Sequence, residues 1–495
     1  MNPKVLMNRI LRPKMPVALT SGWLVYAMFV LCALTHAQPV DSLAQVKRIY
    51  VGDFKGGQEA AHLRESFLRH LDRERFEIAQ SPKDADAVVY GTGEVWLKGY
   101  VSLNARTPSS DRQAVYTGYL SIEVVAQNGQ PIWSWLATPG RIAWTNVVDN
   151  LAGRAAKKLG DAARAQLAAA PASTTAPSSL AATDLEGAGA TFPAPLYQKW
   201  FQDFEELHPG IHFRYAPVGS EAGVRRLIAG ESDFAGSDVA PEAVVDTPVA
   251  ASLRRIPSVV GAVVPIYNLG GVTQDLRFTP AALADIFLGR VKQWNDEALK
   301  HSNSGVDLPQ APIAVIHRSD GSGTTWVWSD FLSKVSPVWA SSVGRNTTLK
   351  WLVGTGAVGN DGVAEAVLNT PNSIGYVELT YAIQHRLAYG AVRNHSGEFV
   401  RADLDSVSEA AKGAEPSPGH DPTIIDSARK FAYPISAFTW LVMPSDGSNA
   451  AKRAALEDLF RWVLVYGQRD CSSLGYAPLP HEVVDEELRM LNAGR

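Results

Sequence analysis

The stretch AAAPASTTAPSSLAATD, residues 168–184, constrains this chain more than any other. It is built almost wholly from Ala, Ser, Thr and Pro and has no run of large apolar side chains to bury. Such a composition predicts a flexible, partly extended linker through which no single core can run. At 495 residues the chain is too long for one compact core in any case. The linker therefore predicts a small first module and a large second one. Hydrophobic residues at 46% and charged residues at 19% suit globular domains, and a net charge of −4 without a basic tract argues against a nucleic-acid partner.

Before the first module, Lys4, Arg9, Arg12 and Lys14 precede the uncharged run PVALTSGWLVYAMFVLCALTHA. A positive segment, an apolar segment and small residues ending at Ala37 predict an export signal over residues 1–37, cleaved after Ala37. The same run approaches the length that spans a bilayer, so an uncleaved membrane anchor is the alternative. Cys32 invites a lipid-attachment reading, against which Leu31 is larger than the residue expected there. Cleavage would leave Cys471 as the sole cysteine, so no intrachain disulfide is expected. An exported protein of this kind belongs in the periplasm or cell envelope.

The first module is expected over residues 46–167. IYVGDF reads as a strand, and Leu63, Phe67 and Leu71 recur at helical spacing. ADAVVYGTGEVWLKGYV reads as further strand. Leu120, Ile122 and Val124 alternate, and Asn128-Gly129 supplies a hairpin turn before IWSW. A closing helix carries Val147, Leu151, Ala155, Leu159 and Ala162 on one face, with Asn146 as its cap. That order predicts an α+β sandwich. Trp133, Trp135 and Trp144 either dock an envelope partner or cover the sheet.

Beyond the linker, strands and helices alternate, as in α/β proteins whose ligands gather at strand carboxyl ends. FPAPLYQKWFQDFEEL is an amphipathic helix with prolines only in its first turn. IHFRYAPVG, DFAGSD and APIAVI (311–316) read as strands; EAGVRRLIAG, PAALADIFLG and TTWVWSDFLSKV read as helices.

Three loops here share one design. GAGATFPAP (187–195), PVGSEAG (217–223) and RSDGSGTT (318–325) each place hydroxyls and backbone N–H groups at a helix amino terminus, a ready anion site. Any one of them could be an ordinary helix cap. Three in one module, with the planar charge of Arg318 beside one, favour an oxyanion ligand.

GAGATFPAP, DFAGSD, IFLGRVKQWND, RSDGSGT, GNDGVAEAV, IGYVELTYA and GYAPLP occur in this order. On these motifs residues 185–490 resemble the phosphate-binding proteins of bacterial phosphate ABC importers, a type of periplasmic binding protein. The resemblance implies a bilobed type II α/β fold, with the extra α+β module in front. The phosphate-binding domain would cover 185–495, with lobe one at 185–262 plus 436–495 and lobe two at 263–435. Two crossovers, near Val259–Val264 and Pro434–Thr439, would join the lobes and act as their hinge.

Carried over by position, the implied phosphate contacts are Thr191, Phe192, Ser220, Asp238, Arg318, Ser322, Gly323 and Thr324, with Asp320 orienting Arg318. One departure stands out. Where the family usually has Gly-Ser-Ser-Gly-Gly, this chain has Gly219-Ser220-Glu221-Ala222-Gly223, so a carboxylate enters near an anion site. Facing solvent it would be harmless; facing inward it would weaken binding.

Rival chemistries find little support. GTGAVG (354–359) spells a dinucleotide fingerprint with Glu378 downstream, yet the family carries a comparable loop without a nucleotide. Ser322 is not in a Gly-x-Ser-x-Gly elbow, and His317 is expected to point away from the cleft. No metal-binding spacing is evident, and neither a cofactor nor a catalytic residue is expected. The expectation is a monomeric solute-binding protein that delivers phosphate to importer permease subunits. A phosphate-responsive envelope sensor or adaptor is the alternative, and a phosphatase is a weaker one. The first module's position before the linker further predicts that it is dispensable for phosphate affinity.

Overall fold

The computed structural model describes residues 40, 42–73, 75–102, 112–139, 146–167, 182–412, 414, 423–445 and 449–493. The signal or anchor at 1–37, Trp144 and residues 168–181 of the linker lie outside them. The strand Thr183–Gly189 starts inside the expected linker, because Thr183 and Asp184 already pair with Ile211 and His212.

In the first module the sheet order is Glu77–Ile78, Arg48–Val51, Ala87–Ser102, Arg112–Ala126, Pro131–Ala137, with Lys55–Gly56 also on Ala87–Ser102. Antiparallel pairing of the two long strands runs from Ala87↔Ala126 to Ser102↔Arg112. The hairpin turns at Gly129, whose φ of +83° is open to glycine at no steric cost and whose N–H donates to the Ala126 carbonyl. Helices Ala60–His70 and Val147–Leu167 pack together against the sheet. Alternation puts Leu120, Ile122 and Val124 on the helix side, where they meet Leu63, Phe67, Leu151 and Leu159, all fully buried. Leu71 is buried too, but it sits just past its helix in an extended conformation. Trp133 and Trp135 are half-buried against this core, and the Lys158 ammonium lies 4.2 Å from the Trp135 ring centroid. That packing fits a sheet cover.

The second module is built on a mixed sheet of order Thr355–Ala357, Ala314–Arg318, Ser373–Glu378, Arg254–Asn268, Ser436–Met443, Phe234–Ser237, Thr183–Gly189, Ile211–Ala216. One strand, Arg254–Asn268, holds its two halves together. From Arg254 to Ala262 it pairs with Ser436–Met443; from Val263 to Asn268 it pairs with Ser373–Glu378. Its burial is nearly continuous, as expected for a strand covered on both faces. The two sub-sheets and their helices form two lobes, and Ala262–Val263 is where the shared strand changes partner. The strand expected at 311–316 is instead Ala314–Arg318, since parallel pairing with Thr355–Ala357 continues through Arg318↔Ala357. Arg318 is thereby fixed at the strand's carboxyl end.

The module's core and the core shared by the two lobes are separate clusters. Even so, the module is seated on both lobes through polar contacts. Cys471 is buried within the lobes' core and unpaired. Among the described residues, no helix is long and apolar enough to cross a membrane.

Candidate functional site

Arg318 ends its strand almost fully buried, 3% exposed. Asp320, two residues on, accepts from Nε at 2.7 Å and from Nη2 at 2.5 Å, a bidentate fork that fixes the guanidinium plane. The remaining nitrogen, Nη1, reaches Thr324 Oγ1 at 3.3 Å. Asp320 is itself held by the N–H of Gly359 at 3.1 Å, at the amino terminus of helix Gly359–Asn369. The GTGAVG loop thus directs its helix terminus at a carboxylate of this chain. Burial works against the Asp320 charge, but the Arg318 contacts and the Gly359 N–H outweigh it and hold its pKa below the usual value.

Helix Gly323–Val335 begins on the Asp320–Ser322 turn. Ser322 Oγ caps it, accepting from the Thr325 N–H at 3.1 Å. Thr325 and Tyr376 share a hydroxyl contact of 2.7 Å, and Tyr376 also accepts the Arg318 N–H. His317 points the other way: its ring stacks on Trp351 at 4.5 Å, and burial lowers its pKa.

The opposite lobe supplies Thr191 and Phe192 before helix Ala194–Leu207, Ser220 at the start of helix Ser220–Ile228, and Asp238 just after strand Phe234–Ser237. Phe192 is wholly buried, its ring against the crossover residue Gly261 and its carbonyl accepting from Tyr476 Oη at 2.7 Å. Only its backbone N–H is therefore suited to a ligand. Asp238 Oδ1 accepts from Thr439 Oγ1 at 2.8 Å and Oδ2 accepts from Ser220 Oγ at 3.3 Å. Burial pushes the Asp238 pKa up to about 7, against those two hydrogen bonds and the Arg318 charge.

The two sets meet. A Cβ on Gly323 would lie 2.3 Å from both Asp238 Oδ2 and Ser220 Oγ. At Gly219, φ +94°, a Cβ would lie 2.6 Å from the Gly321 carbonyl and 2.9 Å from Asp320 Oδ2, and would not fit there either. The structure therefore brings Ser220, Asp238, Gly323, Thr324, Arg318 and Thr191 around one interlobe cleft.

Asn360 links the two sides. Its amide donates to Thr191 Oγ1 at 2.9 Å and to Thr324 Oγ1 at 3.3 Å, while its carbonyl accepts the Glu378 N–H. Both threonine hydroxyls accept from Asn360, which leaves each O–H free to donate to a ligand. The GNDGVAEAV motif contains Asn360, but nothing in its local pattern marks this amide as a bridge between the lobes. Thr439 was missed as well; it lies in the apolar strand SAFTWLVM, where no local pattern marks it.

Glu221 stands at the rim of the cleft. Its Oε2 accepts from Thr347 Oγ1 at 2.8 Å and Thr348 Oγ1 at 3.2 Å across the cleft, and its Oε1 accepts from Arg225. Burial opposes its charge, but these contacts hold its pKa below the usual value. The carboxylate is neither aimed at the anion site nor simply solvated: it ties the lobes together.

A PBP superfamily domain profile matches residues 171–465. The phosphate-binding protein PstS of Xylella fastidiosa (strain Temecula1) is 39% identical over 319 residues, covering 63% of this chain and 87% of that protein. PstS of Pasteurella multocida (strain Pm70) is 37% identical over 308 residues, covering 62% and 89%. Among solved structures, a high-affinity periplasmic phosphate-binding protein, PfluDING, is similar at 21% identity and a TM-score of 0.49, covering 62% of this chain and 93% of that one. The chain belongs to the PBP superfamily and, within it, to the PstS-type phosphate-binding proteins.

Proposed function

We propose that this protein captures inorganic phosphate between its lobes and delivers it to the permease subunits of an ABC importer. It works in the periplasm, exported by its amino-terminal signal, as a monomer and without catalysis. Thr191, Phe192, Ser220, Asp238, Arg318, Ser322, Gly323 and Thr324 contact the anion, and Asp320 positions Arg318. One observation carries this reading: a buried arginine, helix amino termini and a buried carboxylate from both lobes converge on one cleft. The arginine and the helix termini attract an oxyanion. Ser322 Oγ accepts the Thr325 N–H, which leaves its O–H free to donate to the anion.

Asp238 supplies selectivity. Phosphate keeps at least one proton near neutral pH, and an ionised carboxylate can only accept. Sulfate has no proton to give, so a sulfate oxygen would face the Asp238 carboxylate with both groups desolvated. Titration calorimetry with phosphate, sulfate and a phosphomonoester tests the reading. Tight phosphate binding with weak sulfate binding and no ester hydrolysis is expected; sulfate binding equal to phosphate, or ester turnover, would overturn it.

A further inference from the structure

The first module bonds to both lobes. On one lobe, Ser134 Oγ donates to the Arg469 carbonyl and accepts the Ser473 N–H at 3.1 Å, and Ser121 Oγ donates to the Ser473 carbonyl at 2.9 Å. This stretch adjoins the hinge. Leu474 O accepts from Thr380 Oγ1 of the other lobe at 2.7 Å, and Ala477 bridges Val260 of the shared strand. On the second lobe, Lys98 pairs with Asp275 at 2.6 Å, Lys158 with Asp405 at 2.6 Å, and Glu94 with Arg386 at 2.5 Å. The Arg386 guanidinium also lies 5.5 Å from the Trp96 ring centroid.

Apart from close approaches of Leu136 to Gly475 and of Gly99 to Thr273, these attachments are polar: the two cores do not merge, and a cleft of about 1350 Å³, lined in part by Trp135, Lys158, Asp405 and Leu488, lies between them. The same arrangement has the lobes closed on each other through Glu221, Asn360 and Gly323. Rotating one lobe about the shared strand would displace Asp275, Asp405 and Arg386 relative to Arg469 and Ser473. A module bonded to both sets cannot follow both, so opening must break one of them.

We propose that the first module is a brace across the hinge, an in-chain partner that binds the closed pair of lobes and slows phosphate exchange. A partner that engages one of two states shifts the balance toward it by its differential affinity and no more. The inference rests on the phosphate-binding reading above and reverses the expectation that the module is dispensable. It also gives Glu94, Lys98 and Lys158 a use that needs no outside protein.

The test uses the full chain and labelled phosphate, with release followed after a chase of unlabelled phosphate. Calorimetry on the parent comes first, and absence of phosphate binding there would refute the phosphate reading itself. Three variants follow: Glu94→Gln with Lys98→Gln and Lys158→Gln together, Lys158→Asp alone, and Lys158→Asp combined with Asp405→Lys. Exposed ion pairs are individually weak, so the triple variant should release phosphate roughly three- to tenfold faster. Lys158→Asp should also speed release, and the charge swap should return the rate toward the parent's. Release rates within about 1.5-fold of the parent in the first two variants, or failure of the swap to restore the rate, would overturn the brace.

Discussion

Gly323 and Asp238 meet across the cleft so closely that a Cβ on Gly323 would stand 2.3 Å from a carboxylate oxygen of Asp238. The two residues lie on different lobes, so the contact exists only when the lobes close. Gly323→Ala should leave the helix intact, alanine being the better helix former, while obstructing closure. Phosphate affinity should fall roughly a hundredfold, about 2.7 kcal/mol, with the melting temperature nearly unchanged. Calorimetry and thermal melts on the same sample check both halves.

Arg318 should behave differently. Arg318→Ala removes the positive charge that serves any oxyanion, so phosphate and sulfate should weaken together. Arg318→Lys should not rescue, because an ammonium cannot make the two-point contact with Asp320 that sets the plane of the guanidinium. Competition binding with both anions distinguishes charge from geometry.

Glu221 follows Ser220 in the loop 217–223, and its bonds to Thr347 and Thr348 cross the cleft mouth. Glu221→Ser should speed phosphate release severalfold, roughly 1 kcal/mol for hydrogen bonds to a charged but partly exposed group. Stopped-flow release would reveal it. A slower release with faster capture would mean that the carboxylate acts mainly by repelling the anion.

The periodic elements were legible because a helix or half-buried strand writes its burial into the spacing of its own residues, as Leu63 with Phe67 and Leu120 with Ile122 show. The three loops were legible as helix starts because Gly, Ser and Thr there serve a local geometry. What escaped was non-local. Ser134 and Arg469 lie 335 positions apart, and nothing near either announces the contact. Thr439 reaches Asp238 over 201 positions from an otherwise apolar strand. The length of Arg254–Asn268 and its change of partner arise from assembly of the whole sheet, which no window of sequence contains.

Asp470 carries a pH signature at the module's seat. It is buried beside Asp203, and burial pushes its pKa up to about 8, Lys199 opposing while Asp203 and Glu123 add to the rise. Between its ordinary value and about 8 the folded chain keeps a proton that the unfolded chain has lost. Stability from this group is therefore greatest at low pH and falls as pH rises through that window. Asp470→Asn should flatten this slope and raise the melting temperature above pH 8. Melts across the window check it.

The central claim is that the ionised Asp238 carboxylate accepts a hydrogen bond from the phosphate O–H and turns sulfate away, and pH bears on it directly. With its pKa near 7, Asp238 is ionised above that value and protonated below it, where it can donate to sulfate instead. The decisive measurement is sulfate affinity relative to phosphate, for the parent and for Asp238→Asn, above and below neutrality. The account predicts that the parent excludes sulfate more than a thousandfold at alkaline pH, about 4 kcal/mol. The exclusion should relax as pH falls through about 7, and the asparagine variant should lose both the barrier and its pH dependence. An asparagine variant that rejects sulfate as strongly as the parent would contradict the account.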